Sequence, residues 1–194
     1  RIYLDYAAST PVDPRAFRAM RPYFDRSFGN AGSVHREGQA AIAGVDRARE
    51  IIATACGVDF RGVIFTSSAT EANNLALRGA VACWKKIHKE RGNIVISAVE
   101  HESIRETARI IGEQEGVEVR TAPVDRRGVV RLGELAGLID RETIVISIMY
   151  GNNEVGSVQP IAKIAHSIAD VTRGFGGAVD SRFPLFHTDA AQAF

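Results

Sequence analysis

The stretch NIVISAVEHES, residues 93–103, decides the fold. It opens with a short apolar run rich in β-branched side chains, which favours a strand buried on both faces, and ends in polar residues that start a helical pattern. Residues 143–156, TIVISIMYGNNEVG, repeat that grammar, with the apolar run passing into a polar, glycine-containing segment. Working outward, apolar runs at 62–66 (GVIFT), 117–121 (VEVRT) and 185–188 predict further strands. Helical patterns near 69–91, 102–115, 131–140 and 160–171 separate the runs. In the last of these, Pro160 occupies the favoured first turn, and Ile161, Ile164, Ala165 and Ile168 share one side. Strands alternating with helices require crossover connections, so the predicted architecture is three-layer α/β/α with a mainly parallel sheet. Ahead of it lie an extended opening with Pro11 and Pro14, a short helix over 14–25 and a longer one over 35–56. Ala41, Val45, Ala48, Ile52 and Ala55 recur on one face of the longer helix. No internal repeat or low-complexity linker interrupts the chain.

Composition narrows the chemistry. The 194 residues are 45% hydrophobic and 24% charged, an ordinary globular mixture able to bury one sizeable core. Twenty-four Lys and Arg against 23 Asp and Glu leave a formal charge of +1, which gives no footprint for nucleic acid or an anionic membrane. No apolar run approaches a membrane span, and Arg1–Asp5 lacks the succession of a signal peptide, so the expected location is cytoplasmic. Cys56 and Cys83 have no CxxC spacing and sit in helical patterns, where buried free thiols are expected rather than a disulfide, metal site or nucleophile.

Open parallel sheets bind ligands beyond the carboxyl ends of their strands, so the residues after each strand are the candidates. Ser67-Ser68-Ala69-Thr70-Glu71 offers free amides, hydroxyls and a helix start, a combination that binds phosphate; Ser68 or Thr70 acting only as a helix cap is the alternative. His101 can stack on an aromatic ring or exchange protons; alternatively Glu100, His101 and Glu102 are a solvated helix start. Asn152-Asn153, between Gly151 and Gly156, is first of all a turn. Asp189 follows the last strand directly, where a carboxylate needs a buried cation, a protonated heterocycle, or a helix to cap. His35, in the Gly-rich loop Phe28–His35, is placed to border a site; His88 and His166 read as helix-surface residues, and His187 as packed.

Taken together, ordered segments along the chain resemble the cysteine desulfurase branch of the class V aminotransferases, which are fold-type I enzymes dependent on pyridoxal 5'-phosphate (PLP). They are Tyr3-Leu4-Asp5-Tyr6-Ala7-Ala8 with Thr10-Pro11, then Phe28-Gly29-Asn30 through Ser33 and His35, then Phe65 to Asn74. Glu100-His101 and Asn152-Asn153-Glu154-Val155-Gly156 with Gln159-Pro160 follow, and His187-Thr188-Asp189-Ala190-Ala191-Gln192 comes last. The resemblance implies an N-terminal extended segment, 1–14, and a PLP-binding large domain, 15–194, incomplete at its C-terminus. It further implies that Ala69 and Thr70 hold the cofactor phosphate, that His101 stacks on the pyridine ring and moves protons, and that Asp189 binds the protonated ring nitrogen. Gln192 would donate to the phenolic oxygen, with Asn153 near that oxygen and the substrate carboxylate. The implied reaction takes sulfur from L-cysteine, giving alanine and an enzyme persulfide that supplies iron–sulfur clusters or thio-cofactors. A homodimer and sulfur-acceptor or scaffold proteins are the implied partners.

The same resemblance places the Schiff-base lysine, the persulfide-forming cysteine and the substrate-carboxylate arginine beyond Phe194, so inactivity of this chain alone is expected. Lys85, Lys86, Lys89 and Lys163 lie on helical surfaces, and Cys56 and Cys83 do not match the persulfide motif. Gly174–Pro184 is a longer connection than the family leads one to expect. Two other readings stay open: a selenocysteine lyase or another class V enzyme, and a non-catalytic interaction module that retains a PLP pocket.

Overall fold

A computed structural model describes residues 2–88, 91–175 and 182–193, and the chain divides into two compact units at Phe65/Thr66. In the first unit the helix predicted over 14–25 is two helices, α1 (Pro14–Met20) and α2 (Pro22–Asp25). Pro22 has no amide to continue the ladder and starts a new turn instead. Helix α3 (Arg36–Cys56) begins at His35, whose Nδ1 accepts the Gly38 amide, so His35 is a helix cap. The helix ends on Gly57, in the left-handed conformation with φ 65°. Of the predicted apolar face Ala41 is buried, whereas Ala48 and Ala55 are exposed; Ala53 is the buried residue near the helix end.

The strand predicted at 62–66 is absent. A single 3-10 turn, Phe60–Gly62, held by the Asp59 carboxylate on the Arg61 amide, leads into extended residues whose Ile64 and Phe65 are exposed. An apolar β-branched run becomes a strand only where a neighbour shares its hydrogen bonds, and the run finds none among the described residues.

The second unit has the predicted layers. Helices α4 (Ala69–Ile87), α5 (Glu102–Glu115), α6 (Leu132–Gly137) and α7 (Ile161–Arg173) flank strands β1 (Asn93–Ser97), β2 (Glu118–Ala122), β3 (Thr143–Ser147) and β4 (Leu185–His187). The sheet is wholly parallel in the order β2-β1-β3-β4. Leu77 and Trp84 of α4 and Ile104 and Ile111 of α5 meet Ile94 and Ile96 on one face. On the other face, Leu135 of α6 and Ile164 and Ile168 of α7 meet Val95 and Ile146. A register shift beside Asn93 pairs Ile94 with Val145 and leaves Ile144 as an extra residue, buried in the core with α4 and α5. Because β2 and β3 flank β1 on opposite sides, the chain reverses its winding direction between β1 and β3, and the crevice beyond their carboxyl ends is where a parallel sheet binds ligands.

Helix α4 stops at Ile87; the predicted extension to 91 crosses residues 89–90, outside the described residues. Of the Gly174–Pro184 connection, residues 176–181 also lie outside them. Cys56 and Cys83 are exposed rather than buried, since neither lies on its helix's apolar stripe. His88 is half-buried, its ring stacked on Trp84 at 4.0 Å, instead of lying free on a surface. No helix among the described residues is long and apolar enough to cross a membrane.

Candidate functional site

The start of α4 settles which residue caps it. Ser68 is the N-cap: its Oγ accepts the Glu71 amide at 3.2 Å, while the Glu71 carboxylate accepts both the amide and the hydroxyl of Ser67. Those bonds, the hydroxyl's first, hold Glu71 below its usual carboxylate range. Ala69 and Thr70 are the first two helical residues, whose amides a helix leaves without partners of its own, and both are exposed. One turn on, at the i+3 position from Thr70, Asn73 is buried.

Asn73 joins that helix to the last strand. Its Nδ2 donates to Asp189 Oδ2 at 2.8 Å and to Ser103 Oγ at 2.9 Å. Ser103 Oγ lies 2.8 Å from His101 Nδ1, which also accepts the Ser103 amide as the N-cap of α5. The other Asp189 oxygen accepts the Ala191 amide at 3.0 Å, so Asp189 organises a turn where a helix cap was the alternative. The carboxylate is 8% exposed and forms no ion pair among the described residues, an arrangement that leaves a buried anion without a cation.

Glu100 is not part of a solvated helix start. It is 5% exposed, and it accepts the Met149 amide at 2.7 Å and the hydroxyls of Ser97 and Ser147, lacing the end of β1 to the end of β3. Burial, with a smaller contribution from the nearby Asp189 charge, pushes its carboxyl up to about 7. Ser147 Oγ also meets His187 Nδ1 at 2.9 Å, and burial depresses the His187 imidazole. The native state therefore keeps a proton on Glu100 that the unfolded chain has released, and stability falls as pH rises from about 4.5 through about 7. Glu100→Gln removes the titration and keeps an acceptor for the Met149 amide. Its stability relative to the native chain is expected to improve across that window, by on the order of 3 kcal/mol at pH 8. Urea unfolding from pH 4 to 8 measures it, and parallel curves for the two proteins would contradict the buried protonated carboxyl.

The rim turn separates the two asparagines. Asn152 builds it: Oδ1 accepts the Glu154 and Val155 amides at 2.8 Å each, and Nδ2 donates to the Val99 carbonyl at 2.9 Å. Asn153 is left exposed and lines a cavity of about 470 Å³ with Glu100, His101, Arg105, Asn152 and Val155, at the crevice between β1 and β3. Gln192 sits beside the same turn, where a Cβ added to Gly151 would meet its Cβ at 3.9 Å. The Tyr150 amide donates to the Asp189 carbonyl at 2.8 Å, so the end of β3 also fixes the backbone that carries the carboxylate.

The structure thus links Asn73 of α4, His101 and Asp189 through one run of hydrogen bonds, and sets Asn153 and Gln192 along the adjoining rim. Sequence reasoning missed Asn73, Ser103 and the burial of Glu100. One signal for Asn73 was present: it lies on the apolar stripe of α4 with Leu77, Ala80, Val81 and Trp84, where a polar side chain needs an internal partner.

Residues 2–194 match the class-V aminotransferase family. A mitosomal cysteine desulfurase of Trachipleistophora hominis is 40% identical over 195 residues, which take in 100% of this chain and 41% of that protein. Its counterpart in Encephalitozoon cuniculi is 42% identical across 99% of this chain and 42% of its own length. Among solved structures, a NifS-like protein superposes with a TM-score of 0.87 at 34% identity, covering 98% of this chain and 49% of that one. SspA in complex with cysteine gives 0.82 at 34% identity, covering 100% and 52%. The chain spans about half the length of these relatives, or somewhat less. Matched over residues 2–194, the chain belongs to the class-V aminotransferase family.

Proposed function

We propose that this chain is the cofactor-binding half of a PLP-dependent cysteine desulfurase acting on L-cysteine. The observation that carries the reading is Asp189, a buried carboxylate held by Asn73 and Ala191 and given no cation among the described residues. A protonated pyridine nitrogen is the partner such a group fits. The surrounding residues suit the rest of the cofactor: the open amides of Ala69 and Thr70 with the positive pole of α4 suit its phosphate, and the exposed imidazole of His101 suits its ring face. PLP, when bound, supplies an electron sink for negative charge at a substrate α-carbon.

In this reading Asp189 keeps the ring nitrogen protonated, and Gln192 donates to the phenolic oxygen. Asn153 orients that oxygen and the substrate carboxylate from the rim of the cavity. His101 stacks on the ring and exchanges a proton at Nε2, because Nδ1 is occupied as an acceptor. The cysteine in the SspA complex supports the substrate class. A homodimer handing sulfur to acceptor or scaffold proteins in the cytoplasm completes the reading, again by likeness to the family.

Thr70→Val tests the phosphate assignment, since it removes a hydroxyl and keeps the shape. PLP affinity, followed by the change in cofactor absorbance, is expected to weaken by about 1–3 kcal/mol, the usual cost of a lost hydrogen bond to a charged group. An unchanged dissociation constant would remove Thr70 from the site.

A further inference from the structure

We propose that Asn73 is a positioning residue, which with Ser103 locks the Asp189 carboxylate and the His101 imidazole into one directed hydrogen-bonded unit. The inference rests on the cofactor reading above, but its geometry stands apart from it.

The direction of every bond follows from counting donors. Asn73 has two amide hydrogens and faces two acceptors, Asp189 Oδ2 at 2.8 Å and Ser103 Oγ at 2.9 Å, so both hydrogens are consumed. Ser103 Oγ already accepts from Asn73, and its own hydrogen is free for His101 Nδ1 at 2.8 Å. The Ser103 backbone amide points at the same nitrogen at 3.1 Å. Nδ1 is thereby an acceptor in the neutral ring, and the hydrogen of that ring sits on Nε2. A change in where the carboxylate sits is passed to the imidazole through the Asn73 amide and the Ser103 hydroxyl, since Asn73 is 4% exposed and has no spare donor. The α4 helix that carries Asn73 also carries Thr70 one turn earlier, so the same helix sets the phosphate-facing amides and the spacing of the two ring contacts.

Two measurements on the full chain decide this. In the first, PLP affinity is measured for Asn73→Leu with Asp189 present and again in an Asp189→Ala background. A residue that works through the carboxylate is non-additive with it. The expected loss is about fivefold with Asp189 and less than about twofold without it. Equal losses in both backgrounds would make Asn73 a packing residue and overturn the proposal. The second needs no cofactor: two-bond nitrogen–proton spectra of the His101 ring are expected to show the hydrogen on Nε2 and an accepting Nδ1. Ser103→Ala should move the Nδ1 resonance, and Asn73→Leu should move it in the same direction by less. A hydrogen on Nδ1 in the native chain, or an Nδ1 resonance indifferent to both substitutions, would overturn the proposal. Absence of PLP binding by the native chain would count against the cofactor reading and leave the spectra to decide the bridge. Should Asn73→Leu fail to fold, half-buried Ser103→Ala carries both readouts.

Discussion

Asp189→Ala, in a desulfurase that contains this half, is expected to lower turnover at saturating PLP by about 10²–10³-fold, the scale for removing one preorganised electrostatic stabiliser. The charge acts on what develops during reaction, so saturating the cofactor does not restore the rate. Affinity itself should drop by only about 1.5–3 kcal/mol, because the α4-start amides proposed to hold the phosphate are untouched. Stability separates this role from a structural one. A buried carboxylate with no cation beside it among the described residues is a cost to the fold, offset in part by the bonds from Asn73 and Ala191. Substituting it relieves the desolvation and takes the acceptor from one Asn73 hydrogen and from the amide of exposed Ala191, so the unfolding midpoint is expected to stay at or near the native value. Activity lost with stability kept is the pattern of a functional group retained against the interest of the fold. Near-native turnover, or a loss of activity that tracks unfolding, would each contradict the assignment.

The parts of the molecule legible from sequence are those fixed by local pattern. Helix α5 runs over 102–115 as predicted, because His101 caps its start and Gly116 ends it in the left-handed conformation with φ 65°. Strands β1 and β3 were legible because five successive buried positions leave no polar alternation to confuse the period. Residues 62–66 have similar composition and form no strand, since a ladder belongs to two segments and only one of them is in the pattern being read. Glu100 and Glu102 flank the same histidine and look alike, yet Glu100 is buried beneath Met149 and Ser147 while Glu102 is exposed. What distinguishes them is the path of the backbone leaving β1 toward the β3 rim, set by contacts 49 residues away in sequence. The thiols were misread for a simpler reason. Cys83 sits beside Trp84 in the chain, but the buried stripe of α4 runs through 73, 77, 80, 81 and 84, and one residue along the helix is about 100° around it.

Residues 1–194, given PLP and L-cysteine, are expected to release no alanine or sulfide above the rate of free PLP. The family chemistry uses a lysine beside the ring both to hold the cofactor and to move protons at the substrate carbon. Lys85 is committed elsewhere, its Nζ 2.7 Å from the Glu115 carboxylate and 2.6 Å from the Glu115 carbonyl. It also lies fifteen residues along α4 from Thr70, about 22 Å down the helix axis and several times the reach of a lysine side chain. Lys86 shares that far end. Lys163 is on α7, whose buried face packs against the side of the sheet opposite α4 and α5. Lys89 lies outside the described residues, two positions beyond the end of α4 and farther again from Thr70 in sequence. In the proposed reading only phosphate contacts and ring stacking would hold PLP, without a tether, and binding should be weak, reversible and without turnover. Borohydride treatment followed by peptide mass mapping reads the first half of the argument: no lysine should carry the cofactor in preference to the others. Assaying alanine and sulfide reads the second half. Cysteine-dependent turnover together with one selectively labelled lysine would show that a lysine of this chain reaches the Asp189 and His101 rim after all, and the layer assignment of that lysine would then be wrong.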